Sequence, residues 1–469
     1  MKRLFDRKTL EILAQEMAGE HRLKRVLGPW SLTALGIGTI IGAGIFVVIG
    51  TVAHDKTGPA IIVSLLVSGL ACVFAALCYA EFASMAPVAG SAYTYAYATL
   101  GELFAWIIGW DLVLEYTVAS ASVAHGWSHY FQNFISIFGW SIPEALAKAP
   151  FDTSSATGHF VLTGTLIDLP AFVISAVLTV ILVIGIRESA TFNAVMVVIK
   201  LAVVVFVIVV GAFYVNPDNW TPFAPYGWKG LSFFGEAFVW GEGPGGHPIG
   251  MLAGAGIMFF AYIGFDAVST QAEEARNPQR DVPIGIIASL LICTGLYIAV
   301  AAVLTGMVPY DKIDIDAPVA AAFRDQGLPW AQFIISIGAL AGITSVQMVL
   351  MLSQPRVLLA MARDGLLPSG FFAAIHPKFQ TPYKSTILTG LVVGLLSAVI
   401  PLRLLLELVN IGTLLAFVIV CMAVLIMRRI HPNAERPFRC PYSPYLPIMG
   451  IVMCLMLMFS LPSSNWERL

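Results

Sequence analysis

Four ionisable residues interrupt long apolar stretches of this sequence: Asp111, Glu115, Lys200 and Asp266. An ionisable side chain is costly to place in a hydrophobic segment, so we treat each one as a candidate for binding or proton transfer. Asp111 and Glu115 are four residues apart, which places both carboxyl groups on one face of a helix. A buried lysine can gain and lose a proton during a working cycle. These residue types indicate chemistry that depends on charge and protons.

The segments that carry these residues are apolar enough to cross a membrane. Of 469 residues, 58% are hydrophobic and only 12% are charged. Repeated apolar runs of about 18 residues or more predict an all-α polytopic membrane protein. The six cysteines lack metal-binding spacing, and the sequence predicts no metal, no cofactor and no nucleic-acid partner. We expect eleven spans, at residues 30–53, 59–85, 101–130, 169–186, 190–215, 248–274, 283–309, 329–354, 384–400, 403–427 and 445–463.

The positively charged residues set the expected orientation. Most of the 26 Lys and Arg residues fall in loops on the same side as the amino terminus. Because such loops face the cytoplasm, the amino terminus is predicted to be cytoplasmic in the cell membrane. The expected division has a cytoplasmic segment (1–29), a first half (30–215), an external loop (216–247), a second half (248–427) and a cytoplasmic loop with the last span (428–469).

Two predicted spans contain glycines near their centres. The first span includes Gly42 and Gly44 within the stretch TIIGAGIF, and the sixth includes Gly264, two residues before Asp266. Glycines in one span alone would suggest close helix packing. An interruption in the first span of each five-helix half instead predicts a five-plus-five inverted-repeat transporter with discontinuous first and sixth helices. We pair the break at 42–44 with a break at 261–264.

Interrupted helices expose backbone groups, which hydrocarbon cannot satisfy, so these groups are expected to line a polar cavity. Amides at the first break can hold a carboxylate, and carbonyl groups at the second can hold an ammonium. A zwitterionic L-amino acid matches both. Small residues near the breaks suit an alanine-sized substrate, whereas Glu115 favours arginine or lysine. The predicted substrate-binding residues are Ile40, Ile41, Gly42, Ala43, Gly44, Glu115, Phe260, Ala261 and Ile263.

Several motifs resemble those of the amino acid–polyamine–organocation transporters, and the chain is identified as a bacterial member of their cationic amino acid transporter group. These motifs are GIGTIIGAGIF (36–46), MFFAYIGFDAVSTQAEEARNPQRDVPIGI (258–286), QPRVLLAMARDGLLP (354–368), HPKFQTP (376–382) and ELVNIGTLLAF (407–417). The resemblance implies the five-plus-five fold and secondary amino acid transport by alternating access. Family members have at least twelve spans, so we expect a twelfth span to be missing here.

Lys200 lies about 16 Å along the fifth span, near the bilayer centre. The resemblance to proton-coupled members implies that its ammonium occupies the place where sodium-coupled relatives bind their cation, and that it couples transport to protons. Thr344 and Ser345 on the eighth span keep sodium coupling open. A structural alternative is a lysine bonded permanently to backbone carbonyl groups. For Glu115, the alternative is pairing with Lys200 or with the backbone.

Other roles for these residues and other classes of protein must also be considered. Asp266 and Asp111 are predicted to act in gating or in the framework. His125 and His129 have helical metal-ligand spacing but no evident third ligand, which argues against a membrane enzyme. A channel would need charged rings or a repeated filter. A sodium-coupled or exchanging carrier of amino acids or polyamines, or a transporter-like sensor, remains an alternative. Protons, membrane lipid and a small accessory membrane helix are the expected partners besides the substrate.

Overall fold

The computed structural model describes residues 27–85, 91–153, 160–184, 186–233, 236–239, 249–272, 275–315, 317–379, 381–461 and 466. These residues are mostly helical. The α-helices, numbered in chain order, are α1 (Pro29–Ile40), α2 (Ile49–Val52), α3 (Ile61–Met85), α4 (Ala92–Thr99), α5 (Glu102–Ser136), α6 (Leu169–Ile184), α7 (Ile186–Gly211), α8 (Met251–Met258), α9 (Ala267–Thr270), α10 (Pro278–Met307), α11 (Pro318–Asp325), α12 (Pro329–Arg363), α13 (Ser369–Phe372), α14 (Tyr383–Val399), α15 (Leu402–Ile430) and α16 (Tyr445–Met458).

Short elements connect these helices. π-Helical turns cover Gly44–Val48 and Ala53–Thr57 on either side of α2. The 3₁₀ turns are Gly58–Ala60, Glu144–Leu146, Ala212–Tyr214, Pro217–Trp220, Phe259–Tyr262 and Tyr310–Lys312. Strand β1 (Phe151–Thr153) pairs antiparallel with β2 (Phe160–Leu162), and β3 (Leu231–Phe233) pairs antiparallel with β4 (Glu236–Val239). Both hairpins lie in the two longest predicted connections between spans.

The helices have the length and the composition of membrane spans. Each of the eleven predicted spans overlaps helical residues, while the span total and the inverted repeat stay predictions. Shorter apolar helices cover Leu169–Ile184, Tyr383–Val399 and Tyr445–Met458. Within the described residues, seven helical stretches are long and apolar enough to cross a membrane: Gly44–Met85, Glu102–Ser136, Phe192–Tyr214, Met251–Thr270, Pro278–Met307, Pro329–Arg363 and Val409–Ile430.

Some predicted boundaries are wrong. The eighth span was expected to end at residue 354, but α12 continues through Pro355 to Arg363. Proline lacks an amide hydrogen and normally ends a helix; here the buried residues Val357, Leu358 and Met361 keep the following turns packed against the core. Residues 1–26 of the predicted cytoplasmic segment, parts of the 216–247 loop, and the stretch where a twelfth span would begin lie outside the described residues.

Both predicted helix interruptions are present. Helix α1 ends at Ile40, and helical structure resumes at Gly44. The second interruption follows the 3₁₀ turn after α8: Ile263 is extended, and Gly264 has a φ angle of 108°. A side chain at Gly264 would also approach Thr39, because an added Cβ would lie 2.9 Å from the Thr39 Cβ atom. The backbone conformation and the close packing together require glycine there.

The two interruptions lie directly against each other. An added Cβ on Gly44 would lie 2.5 Å from the Cα atom of Ala261, so the two segments are in close contact at this point. Long helices surround this contact: α5 packs along α12, α10 packs against both α1 and α3, and α7 packs against α12 and α1. The core of the bundle therefore contains two breaks in regular backbone hydrogen bonding.

Candidate functional site

A small cavity with one open side lies where the two interruptions meet α5 and α12. The space in it that is not filled by protein atoms is about 260 Å³, and this value includes solvent at the open side. The residues around it are Thr39, Ile40, Gly42, Ala43, Gly44, Ala119, Val123, Phe260, Ile263, Val346 and Leu350. The list includes six of the nine predicted substrate-binding residues; Ile41, Ala261 and Glu115 do not line the cavity.

The first interruption offers amide hydrogens to the cavity. Within the described part of the chain, no backbone hydrogen bond is donated by the amides of Gly42, Ala43 or Gly44. The carbonyl oxygen of Gly42 accepts from the amides of Ile45 and Phe46, each at 3.2 Å, which starts the new helical segment. Helix starts of this kind favour negatively charged groups. This side of the cavity can hold a carboxylate.

The second interruption offers fewer unoccupied carbonyl groups than the sequence predicted. The Phe260 oxygen accepts the amide of Ile263 at 3.2 Å, and the Ala261 oxygen accepts the hydroxyl of Tyr297 at 3.0 Å. Among the described residues, no backbone amide donates to the Ile263 oxygen. A carbonyl oxygen has two lone pairs, so Phe260 retains acceptor capacity. Ile263, which also lines the cavity, is the clearest acceptor for an ammonium group.

Tyr297 is a residue that the sequence reasoning missed. This residue of α10 is fully buried, and its hydroxyl oxygen lies 2.6 Å from the Ile40 carbonyl oxygen as well as 3.0 Å from that of Ala261. It therefore connects the carboxyl end of α1 with the second interruption. The available signal was weak, because Tyr297 is one of several hydroxyl-bearing residues in this apolar span.

Lys200 lies at the carboxyl end of α1 and does not line the cavity. Its side chain is 0% exposed, and its ammonium group donates to the carbonyl oxygens of Gly38 (2.6 Å) and Ile41 (2.9 Å) and to the hydroxyl oxygen of Ser345 (2.9 Å). A cation at the carboxyl end of a helix is electrostatically favourable. The geometry fits both interpretations of Lys200, as a structural cation and as a proton carrier.

Thr344 and Ser345, both considered as cation ligands, have different surroundings. Only Ser345 contacts Lys200; the Thr344 hydroxyl donates to the Leu340 carbonyl oxygen at 2.6 Å and accepts from Trp127 Nε1 at 2.9 Å. Adjacent residues on a helix point about 100° apart, so both could not face the same partner. The two hydroxyl groups therefore have different partners, and Ser345 is the one that contacts Lys200.

Glu115 is buried one helical turn from Ala119, which lines the cavity. Neither carboxylate oxygen of Glu115 has a hydrogen-bond partner in the part of the chain that the structure describes. The neighbouring Thr413 hydroxyl donates to the Val409 carbonyl oxygen instead. The alternative in which Glu115 pairs with Lys200 is therefore wrong for this conformation.

The other two acids face different elements. Asp266 is 0% exposed, and its Oδ2 atom accepts the hydroxyl hydrogen of Tyr116 at 2.8 Å, which ties the second interruption to α5. Asp111 packs against Gly412 of α15, where no side chain could be added without meeting the carboxylate. Neither acid is among the residues that line the cavity, and their roles in gating or in the framework stay predictions.

A cavity between two interrupted apolar helices is typical of membrane transporters. The amino acid permease family model matches residues 27–466, and the chain belongs to that family. The predicted resemblance is confirmed, and so is the prediction that the protein is not an enzyme, because the family and the matched relatives are transporters.

Three similar proteins illustrate the range of the family. The chain is 46% identical to the methylthioribose transporter of Bacillus subtilis over 466 residues, which cover 99% of this chain and 94% of that one. It is 47% identical to the branched-chain amino acid permease BcaP of the same organism over 459 residues, covering 98% and 92%. It is 40% identical over 417 residues to the vacuolar cationic amino acid transporter 4 of Arabidopsis thaliana, covering 88% of this chain but 65% of the relative.

Proposed function

We propose that this protein is a secondary active transporter that imports L-amino acids across the cell membrane by alternating access. The supporting observation is that one cavity has amide hydrogens at Gly42–Gly44 on one side and, on the other, the carbonyl group of Ile263, which accepts no backbone hydrogen bond within the described residues. These groups suit the carboxylate and the ammonium of an α-amino acid. The positive-inside distribution of Lys and Arg supports a cytoplasmic amino terminus.

Proton coupling through Lys200 is part of the proposal. An ammonium group has three N–H donors, which match the three acceptors Gly38, Ile41 and Ser345. Loss of a proton would leave a lone pair facing one acceptor, so the contact between α1, α7 and α12 would weaken. Protonation of Lys200 would therefore change the stability of the first interruption, and with it access to the cavity.

The substrate preference follows from two features. The cavity lining is small and apolar around Ala43 and Ala119, which suits side chains of the size of alanine. Glu115 is buried without a hydrogen-bond partner among the described residues, and an ammonium or guanidinium group extending past Ala119 would provide one. We therefore propose a carrier that accepts small neutral amino acids and also arginine or lysine. The relatives named for methylthioribose and branched-chain substrates identify further solutes to test.

Uptake by purified protein in proteoliposomes tests this function. Labelled alanine, arginine, leucine and methylthioribose are supplied with an inward proton gradient, without sodium and then with it. Gradient-driven accumulation of alanine or arginine without sodium is the expected result. Accumulation that needs sodium and ignores pH would contradict proton coupling, and binding without flux would indicate a sensor.

The variant Lys200→Met tests the coupling residue, with Lys312→Met as the matched control because Lys312 is exposed. Lys200→Met is expected to retain substrate counterflow while losing gradient-driven accumulation, and Lys312→Met is expected to behave as the parent protein. Equal responses of the Lys200 variant and the parent to the gradient would make Lys200 a structural cation and place the proton path elsewhere.

A further inference from the structure

His125, in the carboxyl-terminal half of α5, and Asp168 form a buried pair. Their side chains are 4% and 1% exposed, and His125 Nδ1 lies 3.0 Å from Asp168 Oδ2. The other ring nitrogen, Nε2, lies 2.6 Å from the carbonyl oxygen of Ile400, just beyond α14. Asp168 directly precedes α6. One imidazole ring thus connects three helices, and both of its nitrogens are occupied by hydrogen bonds, so neither is available to a metal ion in this conformation.

The hydrogen bonds around His125 determine how many protons the pair holds. A carbonyl oxygen can only accept a hydrogen bond, so the Nε2 atom facing Ile400 must carry a hydrogen. Nδ1 faces the carboxyl group of Asp168, and a hydrogen must lie between them for the contact to be attractive. A neutral ring beside an ionised carboxylate cannot supply both hydrogens. The pair therefore holds one additional proton.

The surroundings of Asp168 indicate where that proton lies. Its Oδ1 atom accepts from the Ser128 hydroxyl at 2.6 Å and from the Ala171 amide at 3.2 Å. Gln132 Nε2 donates to the Ser128 oxygen at 3.0 Å, so the serine hydrogen is directed to the carboxyl group. Two donors on one oxygen stabilise an ionised carboxylate. We infer that His125 is an imidazolium ion paired with the Asp168 carboxylate, and that this ion pair positions the turn of α5 beside the cavity.

The described residues near this pair include both ionisable and neutral groups. Helix α5 contributes His129 one turn further on, and the connection between α5 and α6 contributes the exposed Glu144 and Lys148. The contacts from α6 and from the end of α14 are the neutral amide of Ala171 and the neutral carbonyl group of Ile400. The carboxylate of Asp168 is thus the anionic partner in contact with the ring.

The same turn of α5 faces the candidate substrate cavity. Val123 lines the cavity, and an added Cβ on Gly126 would lie 3.3 Å from the Cβ atom of Ala43 at the first interruption. Trp127 Nε1 donates to Thr344 of α12. Residues 123–127 therefore have the cavity on one side and the His125 ion pair on the other. A buried ion pair with defined hydrogen bonds limits rotation and sliding of α5 at this position.

Nitrogen NMR of the ring atoms tests the protonation state in the parent protein. The purified carrier is labelled with ¹⁵N-histidine, and the His125 signal is assigned by its loss in His125→Gln. His54 serves as the reference, because it contacts Asp55 at 2.6 Å in an exposed position. We expect both ring nitrogens of His125 to carry a hydrogen at about pH 7, because both face hydrogen-bond acceptors. An unprotonated ring nitrogen in His125 at about pH 7 would overturn the inference.

A double-mutant cycle tests the positioning role, and only this second test rests on the proposed transport function. Asp168→Asn and His125→Gln each leave the other residue of the pair without its ionic partner. Each is expected to raise the KM for substrate uptake about fivefold or more. The double variant replaces the ion pair by two amides and is expected to recover to within about twofold of the parent, with an unchanged dependence on the proton gradient. Effects that simply multiply in the double variant would contradict an interacting pair, whatever the NMR result.

Discussion

The hydroxyl oxygen of Tyr297 lies 2.6 Å from the carbonyl oxygen of Ile40, the last residue of helix α1. The same hydroxyl also contacts the Ala261 carbonyl oxygen at 3.0 Å. Its single hydrogen is therefore shared between the two interrupted segments that form the cavity. The relative position of the two segments depends on a side chain from a third helix.

The first prediction concerns this link. Tyr297→Phe leaves two buried carbonyl oxygens with less hydrogen bonding, and we expect transport efficiency for alanine to fall about tenfold. Tyr262→Phe is the matched control, because the Tyr262 hydroxyl donates to the Leu65 carbonyl oxygen of α3 at 2.9 Å. Initial uptake rates over a range of alanine concentrations measure both. Equal losses in the two variants would indicate a general effect on packing.

The second prediction concerns the contact between the two interruptions. Gly44→Ala would place a methyl group 2.5 Å from the Ala261 Cα atom, so we expect a loss of substrate affinity of about tenfold or more. Gly295→Ala is the control, because no atom lies within 4 Å of an added Cβ at that position on α10. Binding is measured by substrate-dependent thermal stabilisation. Unchanged affinity in Gly44→Ala would argue against a substrate site at this contact.

The third prediction separates the two hydroxyl groups on α12. Ser345→Ala removes one of the three acceptors of Lys200, and we expect gradient-driven accumulation to fall several-fold while counterflow continues. Thr344→Val instead removes the contact with Trp127 and is expected to keep the proton dependence of the parent. Accumulation is compared at several external pH values. If only Thr344→Val altered the dependence of accumulation on external pH, Thr344 rather than Ser345 would be the hydroxyl group involved in proton coupling.

The fourth prediction concerns substrate charge. Glu115→Gln removes a buried carboxylate that has no hydrogen-bond partner within the described chain, so we expect uptake of arginine and lysine to fall about tenfold relative to uptake of alanine. Asp111→Asn, one turn away on α5 and packed against Gly412, is expected to affect the three substrates equally. Competition between labelled alanine and unlabelled arginine gives the ratio directly. Equal losses for all three substrates in Glu115→Gln would make Glu115 part of the framework.

The sequence by itself determined the membrane class, the family and the place of both helix interruptions. Long apolar runs can only be helices in lipid, since every backbone group there needs an internal partner. Glycines at positions 42, 44 and 264 marked weak points along single helices. Each of these features is local, so neighbouring residues in the chain were sufficient to predict it.

Only the tertiary structure decided which side chains meet at those interruptions. Tyr297, Val346 and Leu350 come from helices far away in sequence, and no spacing rule connects them with Gly42. Likewise, Lys200 was recognisable as a buried cation, but its partners depend on how α7 packs against α1 and α12. Apolar helices in a membrane can associate in many ways, and the choice among them depends on close packing and on a few interhelical hydrogen bonds.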